Sequence, residues 1–253
     1  MEAFNSSSGR CSESETGGKR YRSCDKSMKI ELSAGEIFGT AGGIDGQSAF
    51  DLGATDYRID ALAFANPARW GNDTKHAVCP LDYFSSEVKT ELFSRVGDDT
   101  FYGFKARTVE PVCGQVEQDK PGTAQGVWFV EGTKKTYPED QHLALVHDNY
   151  DPTRGVFSVG QAMQKSGLSS NTYYFDPEEG GLVNRDFSDI KPDGKVYCFE
   201  IKERSFSPQS EVLKTVIILE LTSDTAMHME KKSGSSCGTG PWSFSSQATE
   251  FER

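Results

Sequence analysis

Short strand-like runs follow one another between turn residues, and only one segment in the first half has a helical period. These two observations predict a mainly all-β protein: an antiparallel barrel or sandwich in the C-terminal half, and a small β-hairpin region plus one amphipathic helix in the N-terminal half. Composition points the same way. The 253 residues include 25 Gly and 16 Phe and are 36% hydrophobic, which suits short strands and tight turns and still supplies a core of useful size.

Taken in order, residues 1–27 are rich in Ser, Gly and charge without an apolar period, and read as an irregular or disordered lead-in that Cys11 and Cys24 pin. Residues 28–109 form the second region. Its strands are expected at Met28 to Leu32, Glu36 to Thr40 and Ala49 to Ala54, between glycine turns. Leu81, Phe84, Val88, Leu92 and Val96 then recur at three- and four-residue steps, with Pro80 at the start and Gly97 as the stop, so a helix is expected over about 81–96.

Residues 110–253 are expected to form the barrel or sandwich. After a turn-rich stretch, strands are read at Val127 to Glu131, Leu143 to His147, Gly155 to Val159, Thr172 to Phe175, Leu182 to Phe187, Lys195 to Ile201, Leu213 to Leu221, Ala226 to Lys231, Trp242 to Ser245 and Thr249 to Glu252. Asp151-Pro152-Thr153-Arg154-Gly155 and Pro192-Asp193-Gly194 carry the Pro, Asx and Gly chemistry that reverses a chain. Close spacing without intervening helices favours antiparallel pairing.

A net charge of -11 argues against a phosphate-backbone partner, because Lys and Arg supply most of that affinity. Nucleic acid and anionic membranes are therefore discounted, and no apolar run is long enough to span a bilayer as a helix. The six cysteines are spread widely with no C-x-x-C pair, so disulfides explain them better than zinc or redox chemistry. Cys198 and Cys237 flank consecutive strand-like runs and are paired on that ground. Bridges imply a secreted or periplasmic protein; the alternative is a cytosolic chain with reduced thiols. No apolar segment follows Met1-Glu2-Ala3-Phe4-Asn5, so no signal peptide is read there. The expectation is a trimmed chain or one starting inside a longer gene product.

Gly35-Glu36-Ile37-Phe38-Gly39, with Gly42-Gly43 behind it, resembles the closing hairpin of lysostaphin-type (LytM) zinc endopeptidases. In that family the second strand carries a His-x-His that binds zinc and assists the attacking water. Here Ser48-Ala49-Phe50-Asp51 occupies that region and no His precedes His76, so the resemblance, which covers residues 28–60, implies a degenerate hairpin without its metal chemistry. Asp60 to Arg69 and His76 to Phe84 are similar to segments that follow such domains in uncharacterised bacterial proteins.

A second resemblance starts at Gly126-Val127-Trp128 and ends at Arg253. Calycin barrels, lipocalins among them, open with Gly-x-Trp and pack the indole beneath an Arg from a late strand. The resemblance implies that Trp128 and Arg253 close one barrel end. Alternation along Val216 to Leu221 and Lys195 to Glu200 then places one set of side chains inside, filling the interior or, alternatively, lining a ligand cavity. Tyr173, Tyr174 and Phe175 are either buried strand residues or exposed platforms for sugar rings.

No catalytic or metal-ligating residue and no cofactor is assigned. His142 and His147 lie at odd spacing on one strand and point to opposite faces, while His228 between Met227 and Met229 makes a poor copper site. The acidic loops Asp148 to Asp151 and Asp176 to Gly180 lack calcium-loop spacing, and neither a nucleophile elbow nor a phosphate-binding glycine loop occurs. The chain thus reads as an extracytoplasmic, non-catalytic binding protein for a cell-surface component, a polysaccharide or a small apolar ligand, its partner being an unknown ligand or a cell-wall component. The alternatives are a fragment of a lysostaphin-type hydrolase whose active-site residues lie outside this chain, and a structural or assembly module.

Overall fold

The computed structural model describes residues 9–16, 19–27, 29–37, 39, 43–44, 47–48, 51–100, 103–133, 141–203 and 212–253. The chain divides into two compact units, Met1–Leu52 and Gly53–Arg253.

In the first unit most of the described part of the lead-in forms strands. Strands β1 (Arg10–Thr16) and β2 (Lys19–Asp25) form an antiparallel hairpin in which Cys11 stands opposite Cys24 and is bonded to it. Arg10 faces Asp25 and Glu13 faces Arg22 in the same register, so opposite charges add to the cross-strand pairing. Charge-rich composition had hidden this hairpin because neither face buries an apolar row. Two short strands, β3 (Gly43–Ile44) and β4 (Gln47–Ser48), pair further on. The strands expected within 28–32 and 36–40 are not formed by the residues described there, while Met28, Phe38, Thr40, Ala49 and Phe50 lie outside the described residues. Ile30, Leu32 and Ile37 are exposed, so among the described residues the apolar side chains that suggested strands are not buried against a sheet.

The second unit opens with β5 (Ala54–Thr55), a 3-10 turn at Pro67–Arg69, α1 (Asn72–Lys75) and β6 (Ala77–Val78), which pairs with β5. The helix expected over 81–96 is broken. Pro80–Tyr83 is a 3-10 turn, Phe84 and Ser85 are extended, and α2 covers only Ser86–Phe93. The i, i+3, i+4 pattern lacks a surface to pack on: Tyr83, Phe84 and Val88 are all exposed, and α2 buries no residue. A hairpin of β7 (Gly97–Thr100) and β8 (Gly103–Ala106) follows.

The barrel is built from β9 (Gly126–Val130), β10 (His142–His147), β11 (Gly155–Val159), β12 (Asn171–Phe175), β13 (Tyr197–Glu203), β14 (Val212–Ser223), β15 (Ala226–Ser233) and β16 (Thr249–Glu252). Each strand runs antiparallel to the next, and β16 returns to β9 through Phe251 opposite Val130 and Glu252 opposite Phe129. Closure removes every sheet edge from this part of the chain. Side chains alternate accordingly: Trp128, Leu143, Leu145, Phe157, Phe199, Ile217, Leu219, Met227 and Phe251 lie in the buried core.

Two expected strands are loops instead. Residues 182–187 run beside β13 with a single bridge, Val183 to Cys198, and end in the 3-10 turn Phe187–Asp189, because Asn184 adopts a left-handed conformation and spends its amide oxygen on the Glu200 N–H at 2.9 Å. Residues 242–245 lie over the outer face of β13 and β14, where Trp242 and Phe244 pack with Val183, Val216, Ile218 and the Cys198–Cys237 disulfide. Buried Glu230 holds that loop down by accepting from the Ser245 N–H at 2.7 Å and the Ser245 hydroxyl at 2.6 Å.

Both barrel ends are plugged from within the chain. Phe187 enters the end where β9 begins and meets the rings of Phe157, Phe175 and Phe199 at 4.9, 5.0 and 5.4 Å. Gly155 makes room there, since a Cβ on it would sit 2.1 Å from the ring of its register partner Phe175. At the opposite end Met163 and Leu168 of the β11–β12 connection fill the opening, and Lys231 holds that connection through the Gly167 carbonyl at 2.8 Å.

Candidate functional site

Trp128 and Arg253 meet at the end where β9 begins. The guanidinium carbon lies 4.2 Å from the indole, and Arg253 donates to the carbonyls of Gln125, Thr123, Lys120 and Asp224 at 3.0, 2.7, 3.3 and 3.2 Å. The Trp128 N–H donates to the Ala124 carbonyl at 2.8 Å. Burial draws the Arg253 pKa below its ordinary value, and backbone carbonyls in place of a carboxylate satisfy its donors. The residues preceding Trp128 are shaped by Asp119, whose two carboxylate oxygens accept from the Val127 N–H at 2.9 Å and the Ala65 N–H at 2.8 Å. Gly126 must be glycine for this arrangement: its φ is +132°, and a Cβ would fall 2.4 Å from an Asp119 carboxylate oxygen.

The barrel interior is occupied by its own side chains, and a concavity lies outside it. A cavity of about 330 Å³ opens on the outer face of β9 to β12. Val127, Ala144, Val146, Val156 and Tyr174 form its floor, with Ser158 and Thr172 adding hydroxyls. Gln115, Gln118 and His147 to Asn149 supply its polar side.

That polar side is built by side chains imitating backbone. The Gln118 amide donates to the His147 carbonyl at 3.0 Å and accepts from the His147 N–H at 2.9 Å, extending the ladder of β10 by one partner. Asn149 does the same for Gln115, accepting from its N–H at 2.8 Å and donating to its carbonyl at 3.2 Å. The wall is therefore in place before any ligand arrives. The Cys79–Cys113 disulfide anchors the segment that leads into it.

At the neighbouring barrel end the His147 ring lies 2.8 Å from Asp186, whose carboxylate also accepts from the Ser188 N–H at 2.8 Å. The His147 bond, aided by Ser188 and opposed by burial, holds the Asp186 carboxyl well below the usual carboxylate range. Asp186 begins the turn that carries Phe187, so this pair ties the edge of the cavity to the plug of the barrel.

A second concavity, of about 310 Å³, lies on the outer side of β15 and β16 and is lined by Glu131, His228, Glu250 and Glu252 among others. Glu250 raises the Glu131 pKa through a side-chain hydrogen bond that requires a proton. Arg69 pairs with Glu252 at 2.6 Å and lies 4.3 Å above the Phe129 ring, which fastens the preceding segment to the barrel surface.

The remaining residues singled out in the sequence are placed as follows. His142 lies 6.1 Å from the Phe129 ring on the outside, apart from His147 at Asp186, and His228 packs against Phe244 at 5.8 Å. Among the described residues no group of three or more His, Cys, Asp or Glu is arranged to hold a metal ion. Cys198 and Cys237 are bonded to each other. Tyr173, Tyr174 and Phe175 are buried, as in the first of their two readings and not as exposed platforms. Gln118, Asn149 and Asp186 carried no motif; only the Asp-x-Ser start of a turn at Asp186 hinted at a structured role. No described helix is long and apolar enough to cross a membrane. No family model, curated protein or solved structure matches the chain.

Proposed function

We propose that the protein is an extracytoplasmic, non-catalytic binding module for a glycan segment of a cell-surface polymer, taken up on the outer face of the barrel. The observation that carries this reading is the pre-built cavity of about 330 Å³ beside a filled interior. An apolar floor suits the C–H face of a sugar ring, and hydroxyls, amides and a carboxylate at the sides suit its hydroxyls. A small apolar ligand inside the barrel is disfavoured, since Trp128, Phe157, Phe187 and Phe199 occupy that space. Pairing of all six cysteines fits an oxidising compartment. On the same reading, the lysostaphin-like resemblance of residues 28–60 is a wall-directed scaffold without metal chemistry.

The test is calorimetric titration with soluble muropeptides and pull-down with insoluble peptidoglycan, for the full chain and for Ser158→Trp. Ser158 is exposed on β11 and lines the cavity, so an indole there fills the site at little cost to the fold. Saturable binding by the parent that falls at least tenfold in the variant is expected. Clean negatives for the parent on both materials, or equal binding by Ser158→Trp, overturn the proposal.

A further inference from the structure

The three disulfides differ in what surrounds them. Cys198 is fully buried and Cys237 nearly so, whereas Cys11 and Cys113 are exposed and their partners Cys24 and Cys79 half-buried, so loop size and charge, not exposure, set Cys11–Cys24 apart from Cys79–Cys113. Sequence separation is 13 for Cys11–Cys24, against 34 for Cys79–Cys113 and 39 for Cys198–Cys237. In the loop-entropy account, opening the smallest loop releases the least unfolded-state freedom, so this bridge contributes least to stability. Its two sulfurs are also unequal. The Arg22 guanidinium lies 3.6 Å from the Cys11 sulfur, where it favours a thiolate. In the hairpin register Glu13 stands opposite Arg22 and Arg10 opposite Asp25, with Glu15 opposite Arg20, and Lys19 farther along.

We propose that Cys11–Cys24 is an exchangeable disulfide that forms a covalent adduct with an external thiol, directionally, at Cys24. The attacking thiolate bonds to the Cys24 sulfur and the Cys11–Cys24 bond breaks. Its electron pair leaves on Cys11 as a thiolate stabilised by Arg22, because exchange is faster when the departing thiol has the lower pKa. With a dithiol as co-reactant, its second thiolate attacks the mixed disulfide. The dithiol leaves oxidised to a disulfide, and Cys24 departs as a thiolate that takes up a proton. Two electrons pass from dithiol to hairpin, and the reverse sequence restores the bridge. The hairpin thereby offers a covalent handle within the first unit.

The experiment treats the oxidised full chain with limiting reduced glutathione, quenches with iodoacetamide and maps the labels by peptide mass spectrometry. Cleavage after Lys19 and Arg22 puts the two cysteines on different peptides. The expected product carries glutathione on Cys24 and the alkyl label on Cys11, before any label reaches Cys79, Cys113, Cys198 or Cys237. Arg22→Gln is expected to slow opening about threefold to tenfold and to spread the adduct over both sulfurs, and Arg22→Lys to restore most of the preference. Adduct on Cys11 or equally on both in the parent, another disulfide opening first, or Arg22→Gln behaving as the parent overturns the proposal. The first of these readouts needs no variant.

Discussion

Removing the ring of Phe187 tests the filled barrel directly. Phe187 is fully buried and comes from a turn outside the sheet, so Phe187→Ala withdraws a plug without breaking a strand. Burying such a side chain is worth about 1.5–3 kcal/mol in transfer free energy. The contacts with Phe157, Phe175 and Phe199 at 4.9, 5.0 and 5.4 Å add roughly 0.5 kcal/mol each at the low end of measured aromatic pairs. The sum, about 3–5 kcal/mol, agrees with the range found for Phe→Ala in protein cores. Urea unfolding of the oxidised protein measures it: the midpoint should fall with an unchanged slope, and Tm should drop by roughly 6–20 °C. Because the surrounding rings cannot collapse fully, the vacated space should stay dry and bind benzene, raising Tm in the variant alone. A loss below about 1 kcal/mol at an unchanged slope would refute the packing argument, since no Phe ring withdrawn from a dry core costs so little.

The other predictions concern the two carboxylates that organise the barrel end. Gly126→Ala should cost at least about 1–3 kcal/mol from backbone strain, and more because its Cβ collides with Asp119. Combining it with Asp119→Ala should cost less than the two changes added, and strict additivity in the double-mutant cycle would contradict the clash. Asp186→Asn should destabilise the protein by about 1–2 kcal/mol at neutral pH, the range of a charge-assisted hydrogen bond discounted for partial exposure. The sign follows from the lowered carboxyl pKa: the Asp186 contribution is complete above the ordinary carboxylate range and fades as pH falls below it toward the folded value. The gap between parent and variant should therefore narrow between pH 6 and pH 3. A gap independent of pH would show that the ionised carboxylate is not what His147 stabilises.

The all-β class was legible because alternation is a local property. Along Val216 to Leu221 every second residue turns inward whatever the strand pairs with, and Gly155–Val159 is bounded by its own turn chemistry on one side. The same locality misled the reading of residues 81–96 and 242–245. Apolar residues there have the period of a helix or a strand, yet Phe84 and Val88 find no surface to cover, and Trp242 lies on the barrel without a ladder partner. The β1–β2 hairpin escaped for the opposite reason: charges and a disulfide set its register, and no apolar row marks it.

The candidate site was far less legible than the fold. Gln118 meets His147 across 29 residues and His147 meets Asp186 across 39, and neither pair has a spacing rule to betray it. Sequence alone determined the strand-rich class, which follows from local alternation, while Trp128 with Arg253 came from the resemblance to calycin barrels. Only the tertiary structure decided that the strands close into a ring, that Phe187, Met163 and Leu168 fill it, and that a concavity opens on its outer face. Closure and filling depend on which side chains meet across long chain separations, and those meetings are settled by volume and hydrogen-bond geometry that no local pattern encodes.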